Sequence, residues 1–170
     1  MRSVAEKVGT PADLLGDFRN AMRRLAASVT LVTAFDSEQK PHGIVVTSMT
    51  SLTFEPPTIL TCINQSASAW PVLAQADCFG ASILHSSQRA AAQPFVDRAL
   101  HSRRFGDDLW DLQGAAPLLS NAQVTLLCRR GEAMLHGSHH ILLGEVVSAT
   151  IREDIDPLVY LDGRFGSVIV

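Results

Sequence analysis

The run Ala122–Gly137, "AQVTLLCRRGEAMLHG", is followed two residues later by His140–Ile151, "HILLGEVVSATI". Both are rich in aliphatic and β-branched residues and read as long strands. The short link through Gly137, Ser138 and His139 makes them antiparallel neighbours across a polar hairpin tip. Upstream, "SVTLVTAF" (28–35) is strand-like and ends at the polar turn "DSEQKPHG". "IVVTSMTSLTF" (44–54) reads as a second strand stopped by Pro56-Pro57, "TILTCIN" (58–64) as a third and "CFGASIL" (78–84) as a fourth. Strands in adjacent runs with tight turns, and few helices between them, predict a mainly β fold. The expected architecture is an antiparallel β-barrel with peripheral helices, not a doubly wound parallel sheet.

The helices are few. Phe18, Ala21, Met22 and Leu25 share one face of an amphipathic helix predicted from Asp17, after a flexible segment 1–16. A short helix is expected over 67–76. Another runs from a cap at Ser86 or Ser87 to about Asp97, bent or ended by Pro94. Residues 101–119 have weak periodicity and predict a functional loop or an interface element. The chain closes with "LVYLDGRFGSVIV" (158–170).

With 170 residues, of which 46% are hydrophobic and 18% charged, the chain can bury the core of one domain, placed at 17–170. The net charge of −3 supplies no electrostatic footprint for nucleic acid, and no basic run targets a membrane surface. No apolar stretch reaches the length of a membrane span, and "MRSVAEKVGTPADLL" lacks the apolar core of a signal peptide. Cys62, Cys78 and Cys128 are odd in number and lie in apolar runs. They predict free thiols in a reducing compartment, the cytoplasm.

The common nucleotide loops, the G-x-S-x-G elbow and H-E-x-x-H are all missing. His136, His139 and His140 do not form a metal set: on extended backbone His139 and His140 face opposite sides, and no Cys or carboxylate adjoins them. Two stretches carry more. Thr47, Ser48, Thr50 and Ser51 crowd hydroxyls into one strand, which fits either a half-exposed strand or a polar shelf for a flat heterocycle. Asn64, Gln65, Ser66 and Ser68 mark a strand-to-helix handover, which fits either an ordinary capped turn or an anion site. Taken together, the shelf and the handover suit a planar ring with a phosphate tail. Trp70 reads as core.

Several longer stretches then resemble a known family, in its order along the chain. They are "FRNAMRRLAASVTLVTAFD" (18–36), "PHGIVVTSMTSLTFEPPTILTCINQSASAWPVL" (41–73), "GAAPLLSNAQVTLLCRR" (114–130), "GSHHILLGEVVSA" (137–149) and "PLVYLDGRFG" (157–166). The chain resembles the short-chain flavin reductases of two-component monooxygenases, the group that includes the reductase of 4-hydroxyphenylacetate 3-monooxygenase. The resemblance implies a split barrel, usually a homodimer with flavin near the subunit interface. It implies reduction of FMN or FAD by NADH or NADPH, the reduced flavin then passing to a separate monooxygenase. The alternative is a non-catalytic flavin-binding module on the same barrel.

By the same resemblance Val46, Thr47, Ser48 and Met49 run beside the flavin ring. Cys62, Ile63, Asn64 and Gln65 lie near the ring and ribityl chain, and Ser66 and Ser68 contact the phosphate. His139 faces the nicotinamide nucleotide, and Arg164 lies near both ligands. No residue is assigned as a catalytic acid or base. Val45 stands where many relatives have threonine and Ser138 where they have Asp or Thr, so Val45 cannot donate the hydrogen bond of its counterpart.

Overall fold

A computed structural model describes residues 10–106 and 108–168. The predicted hairpin forms its centre. Strands β9 (Val124–His136) and β10 (His139–Ile151) pair antiparallel from His136 opposite His139 to Val124 opposite Ile151. Gly137 and Ser138 make the turn, with φ at +58° for Gly137, as a two-residue II′ hairpin requires at its first central position. Register shifts between Leu142 and Gly144, and between Val146 and Ser148, bend the pair. At the first of these the Phe79 ring lies against Gly144, where any Cβ would overlap it.

Seven strands share the main sheet. Their order is β3 (Pro41–Val46), β2 (Thr30–Phe35), β6 (Cys78–Ile83), β9, β10, β5 (Pro57–Asn64) and β4 (Thr50–Phe54). The sequence predicted 44–54 as a single strand, but the structure divides it. β3 and β4 are opposite borders of the sheet, and residues 47–49 carry the chain from one to the other. The sheet therefore curls until β3 meets β5. At this seam the Ser48 hydroxyl stands in for a ladder: Oγ accepts from the Cys62 N–H at 3.1 Å and donates to the Cys62 carbonyl at 2.9 Å. The result is a split barrel, mainly β, as predicted.

A second sheet, β1 (Ala27–Ser28), β11 (Val159–Leu161) and β12 (Arg164–Gly166), adjoins the first. Three backbone bonds of 2.8 to 2.9 Å join Val29, Leu84 and Leu158 into a closed ring at the junction. A third pair, β7 (Trp110–Asp111) with β8 (Leu118–Leu119), lies in the stretch predicted as irregular.

Strand β2 is buried on both faces, which is why "TLVTAF" shows no polar alternation. Val32 and Ala34 face the barrel interior with Ile59, Ile63, Phe79 and Leu142; Leu31 faces a second cluster with Leu84, Phe95 and Leu119. Burying each large side chain stabilises the fold by about 1.5–3 kcal/mol. Cys128 sits in the barrel interior, where burial first and then the neighbouring Cys78 push its thiol up to about 12. Cys62 and Cys78 are free and half-buried.

The helices differ from expectation at their ends. Helix α1 (Pro11–Met22) begins before Asp17, because Thr10 and Asp13 form a capping box: the Thr10 Oγ accepts from the Asp13 N–H at 3.3 Å and the Asp13 carboxylate accepts from the Thr10 N–H at 3.1 Å. Residues 1–9 of the expected flexible segment, with Ile169 and Val170 of the predicted closing stretch, lie outside the described residues. Helix α2 is only Trp70–Leu73. Helix α3 (Arg89–Val96) follows a 3-10 turn, Ser86–Gln88, whose cap is His85 rather than a serine. Pro94 is tolerated in the last turn of α3. There Arg104 donates to the Pro94 carbonyl at 2.9 Å and the Phe95 carbonyl at 3.4 Å while lying 5.1 Å from the Phe95 ring centre.

Candidate functional site

Strand alternation sorts the predicted residues. On β5 the odd positions Ile59, Thr61 and Ile63 are buried, so Cys62 and Asn64 face outward. Register places His139 opposite Asn64, and therefore on that same outer face. Ser48 binds the backbone of Cys62 directly, which brings the 46–49 segment to the edge of this face. Thr47 is exposed there. Val46 and Ile63 turn their side chains into the core, and the partly buried Met49 packs against it, so Val46 and Ile63 can offer only backbone at the surface.

Beyond Asn64 the chain makes an Asx turn. The Asn64 Oδ1 accepts from the Ser66 N–H at 2.9 Å and from the Ser66 hydroxyl at 2.8 Å, while its carbonyl accepts from the Ala67 N–H at 3.0 Å. The Gln65 N–H donates to the Ser138 carbonyl at 2.9 Å, tying this loop to the hairpin tip. Ser66 and Ser68 are exposed, and Ser68 has no hydrogen-bond partner among the described residues. The loop 64–69 carries no carboxylate; Ser66 gives both its N–H and its hydroxyl to Asn64, so the donors left to an anion among the described residues are the Ser68 hydroxyl and the N–H groups of Ser68 and Ala69. A phosphate tail fits this donor set.

His139 is exposed, its Nδ1 2.9 Å from the Ser138 hydroxyl. Its neighbour His140 points inward and stacks on Trp70, ring centres 3.8 Å apart and planes 14° apart. That stack was missed in the sequence, where Trp70 read as plain core; the two residues meet only through sheet register. Arg164 lies exposed on β12, and no hydrogen bond or ion pair joins it to the other candidates among the described residues. Three surface hollows of 520 to 580 Å³ lie elsewhere on the molecule. The candidate surface is an open face, polar at its rim. Among the described residues no three His, Cys, Asp or Glu side chains converge on a metal position.

The sequence also overlooked a buried polar junction. His85 accepts at Nδ1 from the Ser87 N–H at 3.2 Å, and its Nε2 lies 3.2 Å from the Asp154 carboxylate. The Ser86 hydroxyl donates to Asp156, whose N–H donates to the Gln123 side chain at 2.8 Å. Gln88 binds the His85 N–H at 3.2 Å and the Ser120 carbonyl at 2.8 Å. Here each polar group is answered by protein.

Comparison with known proteins locates this arrangement. Residues 22–168 match the model of the flavin reductase like domain. The chain is 34% identical over 151 residues to the reductase component of the FADH(2)-dependent resorcinol hydroxylase of Rhizobium sp. (strain MTP-10005), covering 88% of this chain and 84% of that one. It is 36% identical over 150 residues to the FMN reductase (NADH) RutF of Stutzerimonas stutzeri (strain A1501), covering 88% and 86%. Among solved structures, the Streptomyces globisporus C-1027 NADH:FAD oxidoreductase SgcE6, in complex with NAD and FAD fragments, superposes with a TM-score of 0.83 at 29% identity, over 96% of this chain and 97% of that one. With the family model covering both the curled sheet and the open face at its seam, the chain belongs to the flavin reductase-like domain family.

Proposed function

We propose that the protein is an NAD(P)H:flavin oxidoreductase that reduces FMN or FAD and releases the reduced flavin to a separate monooxygenase. The observation that carries this reading is the convergence of the 46–49 segment, Asn64, the Ser66–Ser68 loop and His139 on one outer face. The relatives point the same way, being reductases of FMN with NADH and a reductase component serving a hydroxylase.

When bound, flavin supplies a ring nitrogen that accepts hydride; the protein supplies placement and electrostatics. Ser68, with Ser66 once its hydroxyl turns from Asn64, would hold the phosphate tail, and the exposed Thr47 and the backbone of 46–48 would lie along the ring. His139, on the neighbouring strand, positions the dinucleotide over the open ring face, and Arg164 assists from the second sheet. Orientation provides the acceleration, and no side chain acts as an obligatory acid or base. Amides and hydroxyls at the seam would stabilise negative charge on a flavin held there. Since Ser48 already uses its hydroxyl on Cys62, that stabilisation falls to Thr47 and backbone N–H groups.

The working form is a cytoplasmic homodimer. Phe54, Met134 and Ile151 are 83%, 61% and 73% exposed on β4, β9 and β10, and Leu14, Phe18 and Met22 line an uncovered face of α1; a second copy would cover such surface. Light scattering reads the mass. NADH oxidation followed at 340 nm with added FMN tests the activity, and the four flavin and nucleotide pairs set the preference. Flavin binding without turnover would replace the enzyme by a flavin-binding module. Absence of any flavin binding would end both readings.

A further inference from the structure

The loop that follows β5 is fastened to the tip of the β9–β10 hairpin at three points. The Gln65 N–H donates to the Ser138 carbonyl at 2.9 Å, Asn64 pairs with His139, and Trp70 stacks on His140 at 3.8 Å. The stack differs in kind from the other two. Trp70 opens a helix of four residues, too short to hold its own geometry, and Ala69 has no side-chain cap to offer it. Ala69 and Leu73 are buried in the barrel cluster and fix the depth of this turn. The flat indole against the flat imidazole fixes its tilt relative to β10.

His139 and His140 are consecutive on an extended strand, so one projects toward the outer face while the other projects beneath the loop. We propose that the Trp70–His140 stack is a positioning device: it sets the Ser66–Ser68 loop against the hairpin that carries His139, and so gives the loop its grip on the flavin phosphate. In this role both residues act through the loop. The inference rests on the flavin reductase reading and deepens it, by assigning the phosphate-dependent part of affinity to a contact between the loop and the hairpin.

Riboflavin, which lacks the phosphate, separates this role from a general one. Fluorescence titrations with FMN and with riboflavin give an affinity ratio for each variant. Wild-type protein is expected to bind FMN more tightly. In His140→Leu and Trp70→Leu that ratio shrinks about threefold to tenfold, the worth of one aromatic pair, while riboflavin affinity is retained. His140→Phe, which keeps a flat ring, restores the ratio. Retained riboflavin binding shows that a variant is folded, so a loss of FMN preference is not mistaken for unfolding. A wild-type ratio carried unchanged into both leucine variants overturns the positioning role and leaves the flavin reading intact. A wild-type protein that binds FMN no better than riboflavin overturns the phosphate assignment itself, and the inference with it.

Discussion

Two strands of the barrel hand over to short helices by the same local device. After β5, the Asn64 side chain accepts the N–H of Ser66, two residues on; after β6, the His85 side chain accepts the N–H of Ser87, again two residues on. The first handover stays open: Ser66 and Ser68 are exposed, and the loop carries no charge. The second is closed, with Asp154, Asp156, Gln88 and Gln123 taking up the polar groups around His85. Identical turn chemistry leaves an exposed loop, the proposed phosphate site, in one place and fastens the fold in the other. What separates them is whether a distant strand end returns to cover the turn. Residues 152–158 return over His85; over Ser66 only the carbonyl of Ser138 arrives, and it stops at Gln65.

That contrast can be broken in order of effect. Replacing His85 by Ala empties the space of a buried ring and removes its bonds to the Ser87 N–H and the Asp154 carboxylate, both of which lie at the surface. The expected loss is about 2–3 kcal/mol, read as a lower urea midpoint, with FMN affinity unchanged. If flavin binding fell in parallel, the two junctions would not be separate. The Ser66→Ala and Ser68→Ala pair should do the reverse, weakening FMN binding about tenfold, close to 1.4 kcal/mol, while the unfolding free energy from urea titration stays within about 0.5 kcal/mol of wild type. Equal FMN titrations for variant and wild type would remove the phosphate role.

The smallest effect concerns acid. The hydrogen bond from Arg152 is the main cause that holds the Asp154 carboxyl below its ordinary value of 3.8. A carboxyl lowered on folding stabilises the native state above that ordinary value, and the contribution disappears as pH falls through the lowered one. Asp154→Asn therefore narrows the difference between urea midpoints at pH 7 and near pH 3. An unaltered difference would mean that Asp154 contributes nothing to the closed junction's acid response.

The closed junction was the less legible of the two. The hairpin at 137–138 and the strands around it follow from alternation and a glycine turn, which are local signals. The loop at Asn64–Ser68 also announced itself, through small residues at a strand end. The carboxylates that close over it, Asp154 on His85 and Asp156 on Ser86, lie 69 and 70 residues away, and nothing near His85 indicates them. The break at residues 47–49 was hidden for another reason: the hydroxyl-rich run suits a strand on both sides, and only the curl of the sheet decides that Ser48 turns toward Cys62. By contrast, Thr10-Pro11-Ala12-Asp13 is a readable helix start, overshadowed by the stronger apolar spacing that follows it.

The stitch between Ser48 and Cys62 also bears on how the chain assembles. It spans a separation of 14 positions, whereas the Thr33 hydroxyl reaches the Pro117 carbonyl across 84. For flexible loops the difference in closure entropy is about 1.6 kcal/mol in favour of the shorter span. A cylinder whose lips are drawn together by a nearby pair of residues can round up early, before its remote walls are in place. Late docking then falls to the segment around Pro117.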